Sequence, residues 1–94
     1  MALPLRFQSI QRQFLPNEKL NSLTTVFNTP TNYFTTAQAK QLIQLVSFET
    51  NRLQLAKLSY RSITDRENFN QLYDVLSSQV SRNELDDYVR TYRD

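Results

Sequence analysis

The sequence predicts an all-α fold, a compact bundle of about six short amphipathic helices that forms one domain over residues 1–94. Three observations carry that prediction. Apolar residues recur at offsets of three, four and seven along the chain, the spacing of helices buried on one face. Glycine is absent and only three prolines occur, which disfavours the tight hairpins of a β fold. Helix start signals stand where the apolar stripes begin.

The first stripe is Leu3, Phe7, Ile10 and Phe14, with Pro4 suited to a first helical turn. The second is Leu20, Leu23 and Phe27, after Pro16, with Asn17 as its expected cap. The third is Ala39, Leu42, Ile43 and Val46, opened by Thr35-x-x-Gln38. That is a capping box, in which each side chain satisfies a backbone N–H of the other residue. The fourth is Leu53, Ala56, Tyr60 and Ile63, with a second apolar edge at Leu55 and Leu58. A helix apolar over a wide arc is contacted on more than one side, which places residues 50–63 at the centre of the fold. The fifth, Phe69, Leu72, Tyr73 and Leu76, follows a box at Thr64-x-x-Glu67. The sixth, Leu85, Tyr88, Val89 and Tyr92, follows Ser81-x-x-Glu84, with Val80 placed to staple onto Leu85. In this last helix Glu84, Asp86 and Asp87 precede Arg90 and Arg93, the order that complements the helix dipole. Asp86 and Arg90 also form an i,i+4 pair. One long loop remains, from Asn28 to Phe34, holding Pro30 and the adjacent aromatics Tyr33 and Phe34.

A weak repeat runs through the stripes. Leu20, Leu23 and Phe27 recur as Leu53, Ala56 and Tyr60, then as Leu85, Tyr88 and Tyr92, each set preceded by another stripe. The unit reads as a helix pair present three times, and stacked pairs share one continuous core. Similar helices also look periodic by chance, and both readings stay open.

Composition removes several chemistries. Without Cys there is no disulfide, thiolate nucleophile or thiolate metal ligand. Without His the commonest general base is gone. Without Gly the phosphate-cradling loops of nucleotide sites are excluded. No apolar run is long enough to span a membrane, and no signal-like apolar stretch follows Met1. No cofactor is expected. The eleven basic residues are dispersed against nine acidic ones, for a net charge of +2. That pattern is a solvated helical surface more often than a nucleic-acid footprint.

The remaining candidates each have a plain structural reading beside the chemical one. Glu84, Asp86 and Asp87 lack the alternating ligands and turn glycine of a calcium loop. Asp65 with Glu67, or Asp74 with Glu49, would act as acid–base pairs only if held at a defined separation in a cleft. Tyr88, Arg90, Tyr92 and Arg93 suit stacking on single-stranded bases, but the tyrosines lie on the apolar stripe with Leu85. Lys19, Arg52 and Arg82 stand near helix starts, where positive charge opposes the dipole. Each therefore calls for a carboxylate partner or an anionic ligand, and Glu49 is the nearest partner for Arg52. Tyr33 and Phe34 suit a partner anchor, although Phe34, just before the Thr35 cap, also suits an inward staple. The candidate partner-binding residues are thus Tyr33, Phe34, Arg52 and Arg82, with no catalytic or metal residue.

Several strings resemble the family catalogued as domain of unknown function 4476. They are Phe14 with Lys19-Leu20, Asn32-Tyr33-Phe34-Thr35 with Gln38, and Leu42 with Leu45. Ser47-Phe48-Glu49 with Arg52-Leu53, Ile63-Thr64-Asp65 with Asn68-Phe69, and Arg82 with Leu85 complete the match, from about Phe7 to Tyr92. This chain departs where the family usually has Asp, at Glu49, and where a second aromatic-Ser-aromatic element is reduced to Leu76-Ser77-Ser78. The resemblance implies an all-α domain of a kind common in exported (periplasmic or extracellular) bacterial proteins. It implies no established activity, cofactor or catalytic residue. The function expected is a non-enzymatic interaction or structural module whose partner is a protein or peptide. Nucleic-acid binding is the alternative, and a hydrolase or transferase built from carboxylates and hydroxyls comes third.

Overall fold

The computed structural model describes residues 16–93; the helix expected over residues 3–14 lies outside them. Helix α1 spans Pro16–Asn28 and buries Leu23, Val26 and Phe27. It already contains Asn17, which is therefore a first-turn residue and not the cap. After it, the Asn32 amide donates to the Thr29 carbonyl at 3.0 Å, and the Asn32 side chain donates to the Val26 carbonyl at 3.0 Å. This turn brings Phe34 back against Phe27, edge to face at 5.3 Å.

Helix α2 spans Thr36–Ile43, opened by the Thr35–Gln38 capping box. Ala39, Leu42, Ile43 and Val46 are all buried, as their spacing predicts. Helix α3 spans Glu49–Ser59 and tightens into a 3₁₀ turn at Tyr60–Ser62. It packs against α1, α2, both 3₁₀ segments and the last helix, α4, which spans Gln79–Thr91. Leu55, on its second apolar edge, is fully buried. The expectation that this segment is central holds. Its end is stitched to the α1–α2 loop by a single parallel bridge between Phe34 and Ile63. In it the Phe34 amide donates to Ser62 at 2.9 Å, and the Thr64 amide to Phe34 at 2.8 Å.

Two expected helices differ. The fifth is a 3₁₀ segment, Arg66–Val75, in place of an α-helix. Its buried face is Phe69, Leu72 and Val75, spaced by three, with Tyr73 only partly covered. Runs of this length are uncommon because 3₁₀ hydrogen bonds are poorer. Asn68, Asn70, Tyr73, Asp74 and Val75 are weak α formers, so little is given up locally. A rise of about 2.0 Å per residue also draws the segment out by about a third over an α-helix, laying it along α2. The box at Thr64-x-x-Glu67 does not form. Thr64 faces the Phe34 carbonyl, and Asp65 supplies a cap to a different helix.

The sixth helix begins earlier than its stripe. Ser78 is the N-cap and accepts from the Ser81 amide at 3.0 Å, so Ser81 lies inside the helix. Val80 is 75% exposed and staples nothing, and Glu84, Asp86 and Asp87 fall beyond the first turn. Among the described residues the architecture is four α-helices and two 3₁₀ segments, and it does not confirm about six helices in three stacked pairs. What does recur is a turn. Arg52 reaches back six residues to the Val46 carbonyl, and Arg82 reaches back six to that of Leu76. That register aligns Leu55 with Leu85, both fully buried, where the stripes had aligned Leu53 with Leu85.

Candidate interaction surface

Every helix end leaves backbone groups without an intrahelical partner. Many proteins close helix C-termini with a left-handed glycine. This chain has no glycine, and no described residue has positive φ. Arginine side chains do the work instead. The Arg61 guanidinium donates to the Phe27 carbonyl in the last turn of α1 at 2.7 Å. Arg52 Nε donates to Val46 at 2.8 Å, just past α2, and Nη1 donates to Val75 at 3.2 Å, the last residue of the 3₁₀ segment. Arg82 Nε holds Leu76 at 2.9 Å. The compensation that Arg52 and Arg82 require at helix starts is therefore carbonyl oxygen. A Glu49–Arg52 salt bridge is not what forms.

Carboxylates close the opposite ends, also across elements. Glu49 Oε1 accepts from the Ser77 amide at 2.6 Å and the Ser77 hydroxyl at 2.5 Å, while Oε2 accepts from the Ser78 amide at 3.0 Å. The Ser77 hydroxyl and amide, with Ser78, hold the Glu49 carboxyl at about 2. Asp65 Oδ1 accepts from the Thr36 amide at 2.7 Å and the Thr36 hydroxyl at 3.0 Å, at the first residue of α2. Burial alone would raise the Asp65 carboxyl. Hydrogen bonds from Asn68 and Thr36 outweigh it and leave the group below its ordinary value.

Other charges are also engaged. Lys40 pairs with Asp74 at 3.3 Å and Lys57 with Glu84 at 2.9 Å, while Arg90 holds both Asp86 and Asp87. The Arg66 guanidinium lies 4.4 Å from the Tyr60 ring centre and 5.3 Å from that of Tyr92. The Tyr60 and Tyr92 rings meet edge to face at 5.1 Å, so Tyr92 belongs to an aromatic cluster that already carries its own cation. Burial, with Asp86 nearby, pushes the Tyr73 hydroxyl above its ordinary value. Among the described residues, no group of three or more acidic side chains converges to hold a metal ion. No described helix is long and apolar enough to cross a membrane.

The four sequence candidates now separate. Phe34 is buried in the core at 2% exposure, whereas Tyr33 beside it is exposed. Side chains alternate along extended backbone, so turning Phe34 inward turns Tyr33 out. Arg52 and Arg82 are half-buried and hold carbonyls, so changing them perturbs the fold before any surface. Two exposed residues were not among the candidates. Phe48 is 61% exposed at the N-cap of α3, and Val80 is exposed on the first turn of α4. Phe48 immediately precedes Glu49 and Val80 follows Ser78, so the Glu49 carboxylate draws their two backbones to one junction. A signal for Phe48 was present: it lies between the third and fourth stripes and belongs to neither. Val80 was hidden by the misplaced cap.

The profile of the family described as "Domain of unknown function (DUF4476)" matches residues 6–89. No curated protein and no solved structure matches the chain.

Proposed function

The chain belongs to the family of domain of unknown function 4476, and from that premise we propose that it is a non-enzymatic helical module that binds a protein or peptide. One observation carries this reading: charged side chains are turned to closing helix ends and joining elements, while Tyr33, Phe48 and Val80 are left outward. Exposed aromatic and aliphatic groups are what a protein partner desolvates at the centre of an interface. Nucleic-acid binding instead needs cations free to neutralise phosphates. Here Arg52, Arg61, Arg82 and Arg90 each have protein partners. Catalysis is disfavoured on similar grounds, since Glu49, Asp65 and Asp74 are each engaged in a separate cap or ion pair.

The test is affinity capture from the native source with the wild-type chain, Tyr33→Ser and Phe48→Ser side by side. The reading expects a protein that the wild type retains through a moderate-salt wash. At least one variant should lose it while its circular dichroism stays unchanged. Retention of nucleic acid that is lost steeply with salt would replace this reading with the nucleic-acid one.

A further inference from the structure

Helix α4 is attached unlike the others. It contributes a single fully covered side chain, Leu85, whereas α2 buries Ala39, Leu42 and Ile43 and α1 buries Leu23, Val26 and Phe27. Its extensive packing is against α3 alone. The remaining ties are peripheral. The Glu49 carboxylate grips Ser77 and Ser78 at the helix start, the Arg82 side chain holds the Leu76 carbonyl, Lys57 pairs with Glu84, the Tyr73 hydroxyl reaches Asp86, and Tyr92 rests on Tyr60 and Arg66 just past the end. These side chains are exposed or half-exposed, where water competes for each hydrogen bond. Structural units with few buried apolar contacts open at lower free energy than the core they rest on.

We infer that α4 is a latch: it swings away from α3 as one unit without unfolding α1–α3, turning at the link between buried Leu76 and Ser77, so that Ser77 and Ser78 leave Glu49, the catch. The opened form uncovers Leu85 and the part of α3 beneath it, apolar surface that the closed form hides.

Native-state hydrogen exchange of the full chain at rising sub-denaturing urea, with closing fast relative to exchange, tests this. The amides of residues 83–91 should share one opening free energy and one shallow urea dependence. Those of residues 53–59 should be slower and steeper. A mild core change, Ile43→Val, should speed the slow set about fivefold and leave the α4 set unchanged, because opening the latch leaves that contact intact. Glu49→Gln should speed the α4 set on the order of tenfold, since it removes a charged acceptor of several hydrogen bonds. If the α4 amides share the free energy and slope of α3, or follow Ile43→Val by the same factor, the latch is overturned. Unchanged α4 rates in Glu49→Gln would overturn the role of Glu49 as its catch.

Discussion

Replacing Arg52 by Met keeps much of the aliphatic stem and removes the guanidinium. In the wild type that group makes two good donations, to Val46 at 2.8 Å and Val75 at 3.2 Å. A third, to Gln44 at 3.5 Å, is too long to count for much. Hydrogen bonds involving a charged group are worth about 1.5–3 kcal/mol each, and the half-buried setting argues for the lower end. Water reaches part of the vacated site and repairs some of the loss. The expected cost is therefore about 2–3 kcal/mol. For a domain of this size that lowers the melting midpoint by roughly 10–20 °C, readily followed by far-ultraviolet circular dichroism. Arg52→Lys is the sharper variant. It keeps the charge, but a single ammonium cannot reproduce a fork aimed at two carbonyls. It should recover less than half of the loss. Arg52→Lys as stable as the wild type, or Arg52→Met within about 0.5 kcal/mol of it, would show that guanidinium closure of these ends contributes little.

Further outcomes follow from the same contacts. The Glu49 carboxyl is lowered from 4.5 to about 2, so its stabilisation is complete above pH 4.5 and fades as pH falls towards 2. Glu49→Gln should flatten that acid limb in a series of melts from pH 6 to 2. Ser78→Ala removes the α4 cap and should cost about 1 kcal/mol in urea unfolding, whereas Thr64→Ala, at the box that does not form, should cost less. Leu72→Ala empties a fully buried position on the 3₁₀ face and should cost about 2–5 kcal/mol. Phe48→Ser should leave the melting midpoint within a few degrees of wild type, because an exposed side chain contributes little to folding.

What the sequence made legible was what depends on near neighbours. The α2 stripe, its capping box and the central position of α3 all follow from residues within two turns of one another. The Asp86–Arg90 pair, at 3.1 Å, belongs to the same class. The 3₁₀ segment escaped because Phe69, Leu72 and Val75 fit a period of three while Phe69, Leu72, Tyr73 and Leu76 fit one of 3.6. Packing along α2 decided between them. The Thr64 box failed because its neighbour Asp65 had a better use across the fold at Thr36. The outward residues were half legible. Tyr33 could be named but not oriented, and Phe48 appeared only as part of a family string. Exposure is settled by what each side chain packs against, and for Phe34 that is Phe27, on the preceding helix.

A helix finished by glycine closes on its own last few residues and can fray without disturbing anything else. Here the last turn of α1 is finished by Arg61, and the end of the 3₁₀ segment by Arg52 of α3. Loosening either end therefore means drawing two elements apart. Fraying and loss of tertiary structure become one event for α1 and the 3₁₀ segment, so their melting should be as abrupt at the tips as in the middle. The absence of one residue type from the sequence thus reappears as cooperativity in the fold.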